Sequence, residues 1–192
     1  MVNFLIFGPP GSGKGTQSVK LAEKFNLLHL STGDMLRAEI AAGTELGRRM
    51  SAIMKKGELV PDEVVIEMIA SKIDGARGYS GFLYDGFPRT VAQTIALEKM
   101  LNERGMKIDS MLVLEVDHDE LVKRLILRAE QSGRPDDKDP AVIENRIEVY
   151  RGKTEPIINF CREKGIYQPV NGMGNIEDIF LRLSEKMKKY FS

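Results

Sequence analysis

The chain has 192 residues, a length that fits one compact domain with room for small insertions. Its 28 Lys and Arg residues balance 28 Asp and Glu residues, so no net charge favours binding to nucleic acid or to an anionic membrane. One cysteine and two histidines exclude a disulfide framework and a zinc site built from several cysteines, and they disfavour a histidine-rich metal site.

The N-terminal residues and the apolar runs bear on localisation. No apolar run approaches the ~20 residues that a membrane-spanning helix needs. Residues 1–11 carry no basic segment and lead directly into a glycine-rich loop, so we interpret them as a strand and not as a signal peptide. We interpret Cys161 as a buried small hydrophobe and His29, which lies within a strand, as structural. These features predict a cytoplasmic protein without a membrane or nucleic-acid partner.

Short apolar runs alternate with helical patterns along the chain. The run VNFLIF stops at glycine and proline, which is typical of a strand buried on both faces of a parallel sheet. Such runs predict strands over 2–7, 27–30, 81–85, 111–116 and 165–170. Helical spacing and capping residues predict helices over 14–25, 34–42, 46–56, 90–104, 118–129 and 175–190. A further helix is opened by Pro61, and another resumes near 141 and is broken or restarted at Pro156.

Strands separated by helices predict an α/β domain with a parallel sheet. Two segments interrupt the alternation. Residues 31–60 place two helices between one strand and the next, and the polar residues Gln131 to Pro140 form a loop within a helical stretch. Both segments are expected to be small mobile subdomains.

A glycine-rich segment, GPPGSGKGT at 8–16, lies between the first strand and the first helix. Its glycines allow several backbone N–H groups to point into one hollow, and the helix N-terminus adds partial positive charge. Lys14 can then reach the phosphates of a nucleotide, and Thr16 can approach Mg²⁺. The spacing matches G-x-x-x-x-G-K, although Gly15 replaces the usual Ser or Thr. A glycine-rich turn without a ligand is the alternative, and the flanking strand, helix and Gly-Lys pair argue against it.

Further candidates come from later in the chain. Asp85 ends a predicted buried strand, at the edge where open α/β sheets bind ligands, and is placed to hold the water shell of Mg²⁺. The turn Gly86-Phe87-Pro88 aims Arg89. Arg124 and Arg128 lie four residues apart on one helix, where a solvated face with ion pairs is the alternative.

The motifs together closely resemble the adenylate kinase family of nucleoside monophosphate kinases, and the resemblance runs nearly end to end. The resemblance rests on the motifs GPPGSGKGT at 8–16, STGDMLR at 31–37, GELVPDE at 57–63, YDGFPRTVAQ at 84–93 and GRPDD at 133–137. It implies a P-loop NTPase fold with a five-stranded parallel sheet flanked by helices. It implies one kinase domain over 1–192, made of a core (1–30, 61–128 and 141–192), an NMP-binding segment (31–60) and a short lid (129–140) without a zinc site.

The resemblance also implies a role for individual residues. Catalytic roles fall on Lys14, Arg89, Arg124, Arg134 and Arg146. ATP contacts fall on Gly11, Ser12, Gly13, Lys14, Gly15, Thr16, Arg128 and Gly174. AMP contacts fall on Thr32, Arg37, Glu58, Leu59, Val60, Gly86, Phe87, Pro88, Arg89, Gln93, Arg134 and Arg146. Mg²⁺ would be held by Asp85 and Thr16, largely through water, and the aspartate pair that accompanies the lid is matched by Asp136 and Asp137.

The implied reaction is reversible, Mg²⁺-dependent transfer of the terminal phosphoryl group of ATP to AMP, giving two molecules of ADP and keeping adenine nucleotides in balance. A monomer whose partners are ATP, AMP and ADP is expected. Because two polyphosphates repel each other, scattered cations must meet around one site. Closure of the two inserted segments would keep water from accepting the phosphoryl group.

Three alternatives are weighed against this hypothesis. A UMP/CMP kinase shares the chemistry, but Thr32 and Gln93 favour AMP. A GTP-binding switch would need Asn-Lys-x-Asp, and no Asn in the chain precedes Lys. An inactive scaffold that senses AMP is disfavoured because Lys14, Asp85 and Arg89 are all present. The preference for ATP over GTP as donor stays open.

Overall fold

A computed structural model of the chain describes residues 1–132 and 139–191. The strands are β1 (Val2–Phe7), β2 (Leu27–Ser31), β3 (Gly81–Asp85), β4 (Ser110–Glu115) and β5 (Tyr167–Asn171). The helices in the described residues are α1 (Lys14–Phe25), α2 (Thr32–Ala41), α3 (Glu45–Lys55), α4 (Asp62–Gly75), α5 (Val91–Asn102), α6 (His118–Ser132), α7 (Pro140–Val149), α8 (Pro156–Glu163) and α9 (Ile176–Lys188). A π-helical turn, Tyr150–Thr154, joins α7 to α8.

The strands form one five-stranded sheet in the order β2-β3-β1-β4-β5, and every pairing is parallel. Side chains of β1 alternate between two apolar layers, since Leu5 and Phe7 belong to one and Phe4 and Ile6 to the other. Helices α4, α5 and α8 cover the first layer, and α1 and α9 cover the second. A sheet covered on both faces explains why its central strands are mostly apolar. The predicted fold class is confirmed.

The register of the sheet brings three strand ends together. Asp85, the last residue of β3, is paired with Ile6 of β1 on one side and with Ser31 of β2 on the other. The loop that follows β1 and the helix that follows β2 therefore begin beside Asp85. This edge is where an open parallel sheet binds its ligand.

Most element boundaries agree with the predictions to within one or two residues, and the largest difference lies in α6. This helix continues to Ser132, so the predicted loop is wrong at Gln131 and Ser132. The residues after Ile126 are mostly good helix formers, and no glycine or proline interrupts them before Gly133. Helix α7 begins at Pro140 because Asp139 caps it, accepting a hydrogen bond from the Ala141 N–H at 2.9 Å.

Three further points bear on the expectations from the sequence. Residues 133–138, which include Arg134, Asp136 and Asp137, lie outside the described residues. Within the described part, none of the helices combines the length and apolar character that crossing a lipid bilayer demands. Cys161 belongs to α8 and is fully buried in the apolar layer that this helix covers. Burial raises the pKa of its thiol to about 12, in agreement with its interpretation as a core residue.

Candidate active site

A cavity of about 1200 Å³ opens at the carboxyl edge of the sheet. It exceeds the ~300–1,000 Å³ typical of a pocket for one small ligand. The glycine-rich loop, the ends of β2 and β3, and parts of α6, α7 and α9 form its walls. The predicted site residues that line it are Gly11, Gly13, Lys14, Gly15, Thr16, Arg37, Leu59, Asp85, Gly86, Pro88, Arg89, Arg124, Arg128, Arg146 and Gly174.

The glycine-rich loop needs glycine for steric reasons. Gly11 has φ +85° and lies so close to α6 that a Cβ would meet the Leu121 carbonyl oxygen at 2.8 Å. Gly13 precedes α1 with φ +90° and provides no side-chain cap, and the first turn of α1 contains no acidic residue. The residues at the start of α1 line the cavity, and no carboxylate of the first turn of the helix competes for its N–H groups, as suits an anion-binding loop.

Lys14 folds back onto this loop. Its Nζ donates hydrogen bonds to the carbonyl oxygens of Gly8 at 2.6 Å and Pro9 at 2.9 Å, and to Ser12 Oγ at 3.3 Å. Burial lowers the pKa of Lys14 to about 7, against the opposing effect of the Asp85 carboxylate. The guanidinium groups of Arg89, Arg128 and Arg146 lower that pKa further. Burial and the neighbouring cations thus disfavour the protonated form of Lys14. A bound anion would stabilise that form, as expected of an anion-binding site.

The arginines come from distant parts of the chain and meet at this cavity. Arg89 follows β3, Arg124 and Arg128 lie on α6, and Arg146 lies on α7. Arg124 is oriented by Glu120, whose Oε1 accepts from Nε at 2.7 Å. On α2, Arg37 is held by Asp34 at 2.5 Å. The expected convergence of positive charge is present among the described residues.

Asp85 lies at the floor of the cavity and is only 8% exposed. Its Oδ2 is 3.3 Å from Nε2 of His29, and a Cβ on Gly15 would lie 3.7 Å from the same oxygen. His29 also lines the cavity, so its interpretation as merely structural is incomplete. The sequence places His29 near the carboxyl end of a predicted strand, but that this strand pairs with β3 and brings His29 beside Asp85 is seen only in the structure.

A smaller cavity of about 70 Å³ adjoins the first. The predicted residues that line it are Thr32, Arg37, Glu58, Leu59, Val60, Gly86, Arg89, Gln93 and Arg146. Arg37, Arg89 and Arg146 line both cavities. Positive charge therefore lies at the junction between the two spaces.

Two predicted residues have side chains that point away from both cavities. Phe87 is 0% exposed and packs in the apolar layer with α4 and α5, so only its backbone can face a ligand. Ser12 is fully buried beneath the loop, where its hydroxyl oxygen accepts from Lys14. Their positions fit support of the loop and of the turn.

The turn at Gly86 is braced by side chains from three elements. Thr32 Oγ1 donates to the Gly86 carbonyl oxygen at 2.9 Å, and Arg89 Nε donates to the same oxygen at 2.8 Å. Gln93 Oε1 accepts from the Arg89 N–H at 2.7 Å, and Thr154 Oγ1 donates to the Arg89 carbonyl oxygen at 3.0 Å. Both backbone polar groups of Arg89 are therefore fixed, which directs its side chain into the cavities.

Sequence reasoning missed the supporting residues of this turn. Thr154 belongs to the π-helical turn after α7, and such turns are frequent at functional sites. Asp62, at the start of α4, accepts from Gln93 Nε2 at 2.6 Å. Asp62 lies within the motif GELVPDE but has no assigned role there, and Thr154 belongs to none of the quoted motifs, because each acts through a contact between distant segments.

Comparisons with known proteins agree with this architecture. The family model for adenylate kinase matches residues 6–166. The adenylate kinase of Bacteroides thetaiotaomicron is 48% identical over 189 residues, which cover 98% of this chain and 100% of that protein. Those of Maricaulis maris (51% over 178 residues, 93% of this chain and 94% of the relative) and Flavobacterium psychrophilum (46% over 185 residues, 96% and 97%) are similar. With its cavities, its glycine-rich loop and these matches, the chain belongs to the adenylate kinase family.

Proposed function

We propose that this ATP:AMP phosphotransferase holds its two nucleotides tail to tail in the cavity of about 1200 Å³ and the smaller space beside it. The reaction is ATP + AMP ⇌ 2 ADP. The observation that carries the proposal is that Lys14, Arg89, Arg128 and Arg146, from four different parts of the chain, line one cavity. In a chain with equal numbers of acidic and basic side chains, such local positive charge suits a pair of polyphosphates.

The donor triphosphate lies on the glycine-rich loop. Backbone N–H groups at the start of α1 and the Lys14 ammonium bind its phosphates. Arg124 and Arg128 reach the same space from α6, and Gly174 lies at the wall formed by the start of α9. Arg134, outside the described residues, remains a predicted member of this set.

The acceptor monophosphate lies across the junction. Arg37 and Arg89 bind its phosphate, and Arg146 faces both nucleotides. The base occupies the smaller space between the turn at Gly86 and the segment 58–60, which lines it. Thr32 and Gln93 supply its polar contacts from two further elements.

The site also suits magnesium. A carboxylate and a hydroxyl are oxygen ligands of the kind that Mg²⁺ prefers, and it retains several waters when the protein offers few ligands. Asp85 and Thr16 both line the cavity beside the loop and would hold the ion, with Asp85 acting largely through water. When bound, the ion would neutralise charge on the β and γ phosphate oxygens.

The chain's own residues catalyse the transfer by position and charge. Cations on both sides of the junction hold the attacking and leaving oxygens in line and stabilise negative charge on the moving group. Direct transfer needs no covalent intermediate. We propose that segment 31–60 helps to exclude water by closing over AMP. The predicted lid over ATP, 129–140, lies largely outside the described residues.

We further propose that the enzyme works as a monomer in the cytoplasm, with ATP, AMP and ADP as its partners. Its single buried cysteine suits a reducing compartment, and its balanced charge gives no general attraction to nucleic acid or to anionic membranes. The experiment that tests the proposal is titration with a dinucleotide in which five phosphates join two adenosines. One molecule per chain is expected to block both sites.

Nucleotide binding is expected to take up a proton above neutral pH. Burial lowers the pKa of Lys14 to about 7, so most of its amine is neutral at pH 8. Phosphate bound at the loop raises that pKa, and the folded protein must then bind about one proton per chain. Calorimetry of metal-free ADP binding at pH 8, in buffers with different ionisation enthalpies, measures the uptake. Lys14→Met should abolish it, and equal uptake by both proteins would disprove the role of this lysine.

A further inference from the structure

Gln93 is 2% exposed, yet it lines the smaller cavity. Its side-chain amide is held at both ends by groups of opposite chemistry. Nε2 donates to Asp62 Oδ1 at 2.6 Å, and Oε1 accepts from the Arg89 N–H at 2.7 Å. A carboxylate can only accept and a backbone N–H can only donate, so only one orientation of the amide satisfies both partners.

Asp62 is itself held in place. It lies in the first turn of α4, where the partial positive charge of the helix favours a carboxylate. Its second oxygen, Oδ2, lies 3.5 Å from Oγ1 of Thr90, the residue that caps α5. Because Asp62 follows Val60 by two positions, its hydrogen bond also ties the segment that lines the cavity to Gln93.

A primary amide in a fixed orientation distinguishes purines by their hydrogen-bond pattern. After its two protein contacts, Gln93 retains one N–H donor and one oxygen lone pair. That pair matches a 6-aminopurine, which offers a ring-nitrogen acceptor beside an amino donor. A 6-oxopurine offers the reverse order at its N1 edge and would need the flipped amide.

We propose that Asp62 is a positioning residue that locks the Gln93 amide in the orientation that selects a 6-aminopurine monophosphate over a 6-oxopurine monophosphate. This inference rests on the proposed function, in which Gln93 contacts the acceptor base. Asp62 touches neither nucleotide and acts through Gln93. With Asn at position 62, either end of the Gln93 amide finds a partner there, so one of the two constraints is lost and only the Arg89 N–H still opposes the flip.

Steady-state kinetics with AMP and IMP as acceptors, at saturating ATP, tests the proposal. Asp62→Asn is expected to lower the ratio of kcat/KM for AMP to that for IMP about tenfold, with KM for ATP at its wild-type value. Glu63→Gln removes the same charge from the same helical turn and should leave the ratio unchanged. In a Gln93→Leu background, Asp62→Asn should have no further effect on the ratio. If Asp62→Asn does not fold, Asp62→Ser removes the carboxylate at a helix start and serves the same comparison.

The outcomes separate this inference from the proposed function. If the wild-type enzyme uses AMP and IMP equally well, the assignment of Gln93 to the acceptor base fails, and the role of Asp62 fails with it. If the wild type prefers AMP and the Asp62 variant keeps the wild-type ratio, only the role of Asp62 is overturned. The same fold-change in the Gln93→Leu background would also overturn it, because Asp62 would then not act through Gln93.

Discussion

Replacing Lys14 with methionine is expected to lower kcat/KM about 1000-fold, because the donor phosphates lose their buried ammonium. Lys14 lies at the start of α1 with Nζ 2.6 Å from the Gly8 carbonyl oxygen, in the hollow where the loop gathers its N–H groups. Methionine keeps most of the length and apolar volume of the side chain and removes the charge together with the hydrogen bonds that Nζ donates to Gly8, Pro9 and Ser12. A coupled assay with ATP, AMP and Mg²⁺ measures the effect.

The fold should tolerate this substitution. Burial lowers the pKa of Lys14 from 10.5 to about 7, so between these two pH values the amine is protonated in the unfolded chain and mostly neutral in the folded protein. Losing that proton on folding costs free energy, and the Met variant avoids this cost. At pH 7.5 the thermal unfolding midpoint of Lys14→Met should equal or exceed that of the wild type. Lys24→Met is the matched control, because Lys24 is exposed on the same helix. Near-normal turnover by Lys14→Met would contradict the assignment.

Replacing Arg89 with methionine should have the second largest effect, a loss of about 100- to 1000-fold in kcat/KM with AMP. Arg89 lines both cavities, and Gln93 and Thr154 fix its backbone on either side. Its guanidinium therefore faces the phosphate junction in a preset position. Arg89→Lys should recover only part of the loss, since an ammonium lacks the planar pair of donors that fits a phosphate.

The comparison that checks this role is affinity for each nucleotide separately. Arg89→Met should weaken AMP binding far more than ATP binding, as measured by calorimetry. Arg104→Met is the control, because Arg104 pairs with Asp74 at 2.7 Å and lines neither cavity. An ion pair of this kind is screened by solvent and contributes little to stability. Unchanged turnover by Arg89→Met, or an equal loss of affinity for ATP and AMP, would show that Arg89 does not hold the acceptor.

Much of the fold follows from local patterns. The run before Gly8 predicts β1, and its abrupt end at glycine and proline predicts the loop that holds Lys14. Asp85 could be placed at the sheet edge because strand residues before it are apolar without interruption. The order of the strands in the sheet could not be predicted in this way. It depends on which helices cross each face of the sheet, and no short sequence pattern records that.

The residues that support the site could not be predicted from sequence patterns. Asp62 lies 31 positions from Gln93, and Thr154 lies 65 positions from Arg89, so their hydrogen bonds exist only after folding. Asp62 at a helix start looks like an ordinary favourable acid. At the end of α6, the polar composition of Gln131 and Ser132 indicated a loop, yet both are compatible with a helix that α6 has already begun.

Titration with the dinucleotide that joins two adenosines through five phosphates tests the central claim most directly. Calorimetry should give one molecule per chain, and that molecule should displace both ATP and AMP from the protein. The affinity should fall in Lys14→Met and in Arg89→Met, because each variant loses a cation from one side of the phosphate junction. Binding of two molecules per chain, or displacement of only one of the two nucleotides, would contradict a single cavity in which the phosphates of ATP and AMP meet.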